Sequence, residues 1–171
     1  VYAGCFYACI DEKMPQARIL AIFEKFKPKA IICDAKNQKT AVSLGIENVY
    51  LYDDIVAYRE NASALAEVRE KQSSTDAIYV AFTSGSTGIP KGVVACHRSV
   101  IDYTEALCEA LPFSEDTVYA NQTPLYFDAC LKEIIPTLKY GATTHLIPRK
   151  LFLLPVKLVE YLNEHKVNTV C

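Results

Sequence analysis

Between Thr83 and Gly92 the chain reads TSGSTGIPKG, a stretch that concentrates glycines, hydroxyls and one lysine. Gly85, Gly88 and Gly92 allow backbone conformations closed to residues with a Cβ, and they let main-chain N–H groups come close to a ligand. Thr83, Ser84, Ser86 and Thr87 add hydroxyl donors, Lys91 adds a compact positive charge, and Pro90 fixes one φ. Such a loop has the chemistry of a cradle for a multiply anionic group, a phosphate above all.

Clusters of Gly, Ser, Thr and Pro also make ordinary solvent-exposed turns and linkers. Here the flanks argue for a held loop. Ile78 to Phe82 (IYVAF) is apolar, aromatic and β-branched, as a buried strand is, and Val93 to Ala95 resumes an apolar run directly afterwards. Neither of the two commonest glycine-rich phosphate motifs is present. Lys91 follows Gly88 by three residues and is followed by Gly92, which is not the GxxxxGK[ST] order, and no glycine lies between Gly85 and Gly88 to make GxGxxG.

The longer string YVAFTSGSTGIPKGVV resembles the signature loop of the adenylate-forming (AMP-binding) superfamily, which holds amino-acid adenylation domains, acyl and aryl coenzyme A ligases, and luciferases. The resemblance implies that Thr83, Ser84, Gly85, Ser86, Thr87, Gly88 and Lys91 grip the β and γ phosphates of ATP, accompanied by Mg²⁺, while a carboxylate attacks the α phosphate. It also implies a catalytic role for Lys91. The opening VYAGCFYACID resembles a second, structural motif of the family, LKAGxAYVPID, matching at Ala3, Gly4, Tyr7, Ile10 and Asp11 and departing from it at Cys9, where the family has proline.

A third resemblance lies in Asn121 to Gly141, which is similar to the FDxS region of amino-acid adenylation domains, with Phe127 and Asp128 matching and Cys130 in place of the serine. It implies that Phe127 and Asp128 bind substrate, the aspartate pairing with the α-ammonium of an amino acid. From the residues alone, Asp128 serves equally well as an N-cap for the helix that follows. Coenzyme A ligases commonly carry a histidine near this place, and none occurs between Asn121 and Gly141. The words NQTP and FDAC are most similar to D-alanine carrier-protein ligases, which implies a cytoplasmic enzyme whose partners are an amino acid and a carrier protein bearing a phosphopantetheine thiol. An acyl or aryl coenzyme A ligase and a non-catalytic nucleotide-binding module remain the alternatives.

Composition bounds the rest. A chain of 171 residues with 51% hydrophobic content is long and apolar enough for one ordinary core, so a single compact domain or a piece of one is expected. The formal net charge of −2 supplies no basic face for nucleic acid, and no apolar run reaches the length of a membrane span. Seven cysteines, scattered through apolar segments without a CxxC pair, read as buried thiols of a reducing compartment, with no metal site. His97, His145 and His165 read as packing or helix-end residues. Both ends lie in apolar sequence, Val1 without a methionine and VNTVC at the other end. The expectation is therefore a partial N-terminal AMP-binding domain over residues 1–171, truncated at both ends, lacking the small C-terminal domain and inactive alone.

The elements that must position these residues follow from periodicity. Helices are expected from Pro15 onward, around Lys39 to Leu44, over Val100 to Leu111, over Cys130 to Lys139 with a disturbance at Pro136, and over Pro155 to His165. Strands are expected at Ala30 to Cys33, Val49 to Tyr52, 78–82, 93–95, Val118 to Ala120, Ala142 to Ile147 and Val167 to Val170. The polar stretch Arg59 to Asp76 is the expected linker. Strands alternating with helices predict an α/β fold of layered, mostly parallel sheets flanked by helices, as in the large N-terminal domain of an adenylate-forming enzyme.

Overall fold

The computed structural model describes residues 1–83 and 89–170, and the chain divides into two compact units, one ending at Val94 and the other beginning at Ala95. The first unit holds α1 (Gln16–Phe26), β1 (Ile31–Cys33), α2 (Gln38–Ser43), β2 (Val49–Leu51), α3 (Tyr52–Ala57), α4 (Ala62–Lys71), β3 (Ala77–Thr83) and most of β4 (Lys91–Cys96). Pro15 presets the backbone just ahead of α1, which buries Ile19 and Ile22 on one face and ends where Lys27 turns left-handed at φ 49°. β1 and β2 run parallel, Ile31 opposite Val49 and Cys33 opposite Leu51, with α2 as the crossover between them.

Three expectations change in this unit. The apolar run of β1 is not wholly buried: Ile31 and Cys33 are half-covered and Ile32 points outward, 62% exposed, because this two-stranded sheet is covered on one face. Tyr52, expected in the second strand, instead opens α3, whose first turn contains Asp53 and Asp54; the carboxylates favour the positive end of a helix and so begin one here. The expected linker is largely helix. Asn61 caps α4 by accepting a hydrogen bond from the Ala64 N–H at 3.1 Å, and ASALAEVREK is rich in good helix formers. The division of the chain falls instead at residues 94 and 95.

β3 and β4 pair with each other, and Val80 is buried between its half-covered neighbours. The opening segment is fastened alongside: the Val80 N–H donates to the Tyr7 carbonyl at 2.8 Å, and Tyr7 and Tyr79 form a parallel bridge. Phe6, Phe26 and Phe82 stack edge to face, at centroid distances of 5.6 and 6.0 Å. The motif that opens the chain thus braces the strand that feeds the glycine-rich loop. Gly92 completes this base, because a Cβ there would sit 2.9 Å from Val80 Cγ1 and 3.2 Å from Phe82 Cε1. Gly92→Ala is expected to cost about 1–3 kcal/mol by overpacking, read as a lower urea midpoint at unchanged slope; an unchanged midpoint would contradict this close fit.

The second unit holds α5 (His97–Ala110), β5 (Val118–Asn121), a one-turn 3₁₀ helix (Asp128–Cys130), α6 (Leu131–Tyr140), β6 (Thr143–Leu146), a second 3₁₀ turn (Arg149–Leu153) and α7 (Pro155–Glu164). β5 and β6 run parallel, from Val118 opposite Thr143 to Asn121 opposite Leu146, with α6 as their crossover. Tyr119, Ala120, Cys130, Pro136 and Ile147 form the buried centre. α6 runs through Pro136, which is fully buried; one lost helical hydrogen bond is offset by burying the ring, and the helix ends at Gly141 with φ 69°. The closing strand expected at Val167 to Val170 is reduced to one bridge, Thr169 with Tyr119. The side chain of Asn168 takes the Val118 N–H at 2.9 Å, so that N–H is not offered to a further backbone rung, while the Thr169 N–H to Val118 carbonyl and Ala120 N–H to Thr169 carbonyl bonds keep the bridge.

Candidate functional site

The root of the glycine-rich loop is set by the β3 and β4 pair. Thr83 is the last residue of β3 and Lys91 the first of β4, both exposed, and the Thr83 hydroxyl donates to the Lys91 carbonyl at 3.4 Å. That contact is at the long limit for a hydrogen bond, so the hydroxyl is readily exchanged to a better acceptor. Pro90 is buried beside the exposed Ile89 and anchors the outgoing limb. Ser84, Gly85, Ser86, Thr87 and Gly88 lie outside the described residues. The structure therefore sets Thr83 and Lys91, both exposed residues, at the adjoining ends of the two strands that bracket the loop.

The other candidate residues belong to the second unit. Parallel α/β sheets place ligands outside the carboxyl ends of their strands, and the segment that leaves the carboxyl end of β5 carries Phe127 and Asp128. Asp128 opens the 3₁₀ turn that runs into α6, and its side chain is exposed. It caps neither helix: Cys130 stands at the N-cap of α6 and Phe127 at that of the 3₁₀ turn, each without a side-chain cap bond. Among the described residues its carboxylate has no hydrogen bond or ion pair. Of the two roles open to this aspartate in the sequence, the structural one is absent. The Phe127 ring, half-exposed, leans against Tyr126 at a centroid distance of 4.8 Å.

Beneath this segment lies a pair that sequence reasoning passed over. Asn121, at the end of β5, and Glu133, in the first turn of α6, are 5% and 0% exposed, and Asn121 Nδ2 donates to Glu133 Oε2 at 3.2 Å. Glu133 Oε1 has no hydrogen-bond partner, and the nearest cation, Lys132 Nζ, stands 3.9 Å away. Burial pushes the Glu133 carboxyl above its ordinary range, opposed by the Asn121 hydrogen bond and the Lys132 charge. The signal available in the sequence was a lone carboxylate one residue before the apolar Ile134 and Ile135.

The histidines hold packing positions. His145 in β6 lies 3.3 Å, Nδ1 to oxygen, from the Tyr161 hydroxyl, and its ring stacks near His165 at 4.6 Å. His97 begins α5, but the cap there is Cys96, whose N–H donates to Ser99 Oγ at 3.0 Å. Hydrogen bonding from the Ser99 backbone holds the Cys96 thiol below its ordinary range.

Comparison with known proteins places this geometry in context. The sequence model described as AMP-binding enzyme matches residues 1–171. The D-alanine--D-alanyl carrier protein ligase of Staphylococcus aureus (strain MRSA252) is 30% identical over 168 residues, covering 98% of this chain and 33% of the relative. The chain thus spans about a third of the length of the curated relatives it matches. Among solved structures, the fatty acyl-adenylate ligase from L. pneumophila, in complex with acyl adenylate and pyrophosphate, superposes with a TM-score of 0.75 at 23% identity, covering 99% of this chain and 30% of that one. The O-succinylbenzoate coenzyme A synthetase MenE of Bacillus subtilis, in complex with ATP and magnesium ion, gives 0.72 at 16% identity, over 94% and 41% respectively. These likenesses establish the fold expected from the sequence, α/β with parallel sheets, as that of adenylate-forming N-terminal domains.

Proposed function

The chain belongs to the AMP-binding enzyme family of adenylate-forming ligases, and we propose that it is the part of an N-terminal domain that holds the phosphates of ATP and the ammonium of an amino acid. The observation that carries the amino-acid reading is the uncommitted, exposed carboxylate of Asp128 outside the carboxyl end of β5. A carboxylate left without an internal partner pairs with a cationic substrate group and penalises acids that lack one. The likeness to a D-alanine--D-alanyl carrier protein ligase supports the same substrate class.

In this reading, one oxygen of the amino acid's carboxylate attacks the α-phosphorus of ATP. The bond to the bridging oxygen breaks, pyrophosphate leaves with the electron pair, and aminoacyl-AMP remains. A carrier-protein thiolate then attacks the acyl carbon and AMP departs. Thr83, Ser84, Gly85, Ser86, Thr87, Gly88 and Lys91 hold the β and γ phosphates in line, with Lys91 meeting the charge that grows on the departing pyrophosphate. Bound Mg²⁺ supplies further neutralisation of that charge. Phe127 walls the acid pocket and Asp128 orients the ammonium. The enzyme works in the cytoplasm in this reading; the six cysteines among the described residues are free thiols, and none of the described helices is long and apolar enough to cross a membrane.

The test is ATP–pyrophosphate exchange by the full-length protein with D-alanine and other amino acids, set against fatty and aryl acids. Exchange with at least one amino acid and none with acids lacking an amine is the expected result. Exchange confined to fatty or aryl acids would make it an acyl or aryl ligase instead. No exchange with any acid, at undiminished ATP binding, would leave a nucleotide-binding module.

A further inference from the structure

We propose that the segment following β6, Arg149 to Val159, is the surface on which the carrier protein docks, recognising a partner that presents carboxylates around an apolar face. The proposal rests on the reading given above for the identity of that partner, though not for the surface itself.

The register of the sheet sets this segment beside the acid site. β5 and β6 run parallel and end together, Asn121 opposite Leu146, and the Ile147 N–H still donates to the Asn121 carbonyl at 3.2 Å. The stretch that carries Asp128 and the turn that begins at Arg149 therefore leave the same end of the sheet, the end at which parallel α/β sheets bind ligands. An acceptor thiol must reach the acyl carbon of an adenylate held there. The protein that brings the thiol docks within reach of it.

Charge at this end is one-sided. No Asp or Glu occurs from Ile134 to Val159, while the same stretch carries Lys139, Arg149, Lys150 and Lys157. Lys139 is paired with Glu105 at 2.9 Å, whereas Arg149, Lys150 and Lys157 are exposed and form no ion pair among the described residues. Lys157 even stands in the first turn of α7, where the helix dipole favours a carboxylate and none is present. Helix stability does not account for that cation.

Among these cations apolar side chains turn outward. Leu153 and Val156 are 82% and 72% exposed, and Leu154 and Val159 are half-exposed. Val156 and Val159, three residues apart, share one face of α7, while the half-covered Leu158, Tyr161 and His165 lie on the opposite one. An exposed apolar patch with a polar rim marks an interaction site, and a cationic rim selects and steers an acidic partner. Glu160, one turn beyond Val156 on the same face, opposes burial of that face in an anionic lipid surface and favours a protein.

The test uses the full-length protein, with a D-alanyl carrier protein bearing phosphopantetheine and free pantetheine as alternative thiol acceptors. Arg149→Glu combined with Lys150→Glu, and separately Leu153→Asp, should lower kcat/KM for loading the carrier at least about tenfold. Loading of free pantetheine and pyrophosphate exchange should stay within about twofold of wild type, since neither uses this surface. In Leu153→Cys the new thiol should be alkylated readily, and about tenfold more slowly with carrier at about ten times its Kd. Equal losses for both acceptors, or unchanged carrier loading in both charge and apolar variants, overturns the surface. Slow alkylation of Leu153→Cys without carrier also overturns it, because the patch is then covered within the enzyme itself. Vesicles of phosphatidylglycerol that retain wild type and release Leu153→Asp, with carrier loading unchanged, assign the face to a membrane instead. Pyrophosphate exchange with an amino acid but no loading of either acceptor removes the carrier and this proposal, while the amino-acid reading stands.

Discussion

Lys91→Ala in the full-length protein should slow pyrophosphate exchange by about 100- to 1,000-fold, the loss typical of removing one preorganised group that meets developing charge. The chain gives this lysine little else to do. It opens β4 at the surface, and its contribution to the loop's root is its backbone carbonyl, which accepts from Thr83 and survives the substitution. Stability should therefore change by no more than about 0.5 kcal/mol, as for other surface substitutions. Arginine is not an equivalent replacement: a planar fork does not reproduce the compact, strongly hydrated ammonium of lysine at a phosphate, so Lys91→Arg should remain well below wild type. Exchange within about threefold of wild type in Lys91→Ala, with the melting curve unchanged, would remove Lys91 from the phosphate site.

The contrast with Gly92, the next residue, separates two kinds of damage. Gly92 lies over Val80 and Phe82, so a side chain there strains the base and lowers stability. Lys91 points to solvent from the same strand, so its loss should spare stability and lower the rate. Neighbouring residues in a strand face opposite ways, and the base and the chemistry of the loop are divided between those faces.

That division shows what could be read from the sequence. Local chemistry was plain: the apolar run into Thr83, the hydroxyls, Lys91, and a helix expected close to Pro15. Strands β5 and β6 were found from their apolar runs, and Phe127 with Asp128 from a resemblance. What escaped depended on competition between local and distant bonds. The apolar run placed Tyr52 in a strand, yet Asp53 and Asp54 in the first turn favour the start of a helix at that residue. The polar stretch after Arg59 lacked a strong apolar stripe, and its helix is held by the Asn61 cap and by propensity. Asn168 is an unremarkable polar residue in sequence, and only the position of Val118, fifty residues away, lets its side chain take a strand N–H. Glu133 escaped for the same reason: its partner Asn121 is twelve residues distant, and nothing in the spacing announces that both are buried.

Asp128→Asn should raise the amino-acid KM by about 10- to 100-fold, the worth of a hydrogen bond to a charged group at about 1.5–3 kcal/mol with about 1.4 kcal/mol per factor of ten. Asparagine keeps the shape and removes the charge, so the fold should stay intact; the carboxylate caps no helix and holds no internal partner whose loss would be felt. The ATP KM should be unchanged, because the phosphates are assigned to Thr83, Lys91 and the loop between them. The sharper comparison uses the same acid without its amine. Wild type should discriminate against it strongly, since Asp128 is then left facing an apolar group, while Asp128→Asn should discriminate less by roughly the factor it lost with the amine present. A variant that weakens both acids equally has lost pocket shape, and one that weakens neither has lost nothing that the substrate touched. Only a selective loss for the amine-bearing acid follows from a charge pair at this carboxylate, because removing one partner of such a pair matters only when the other is there to feel it.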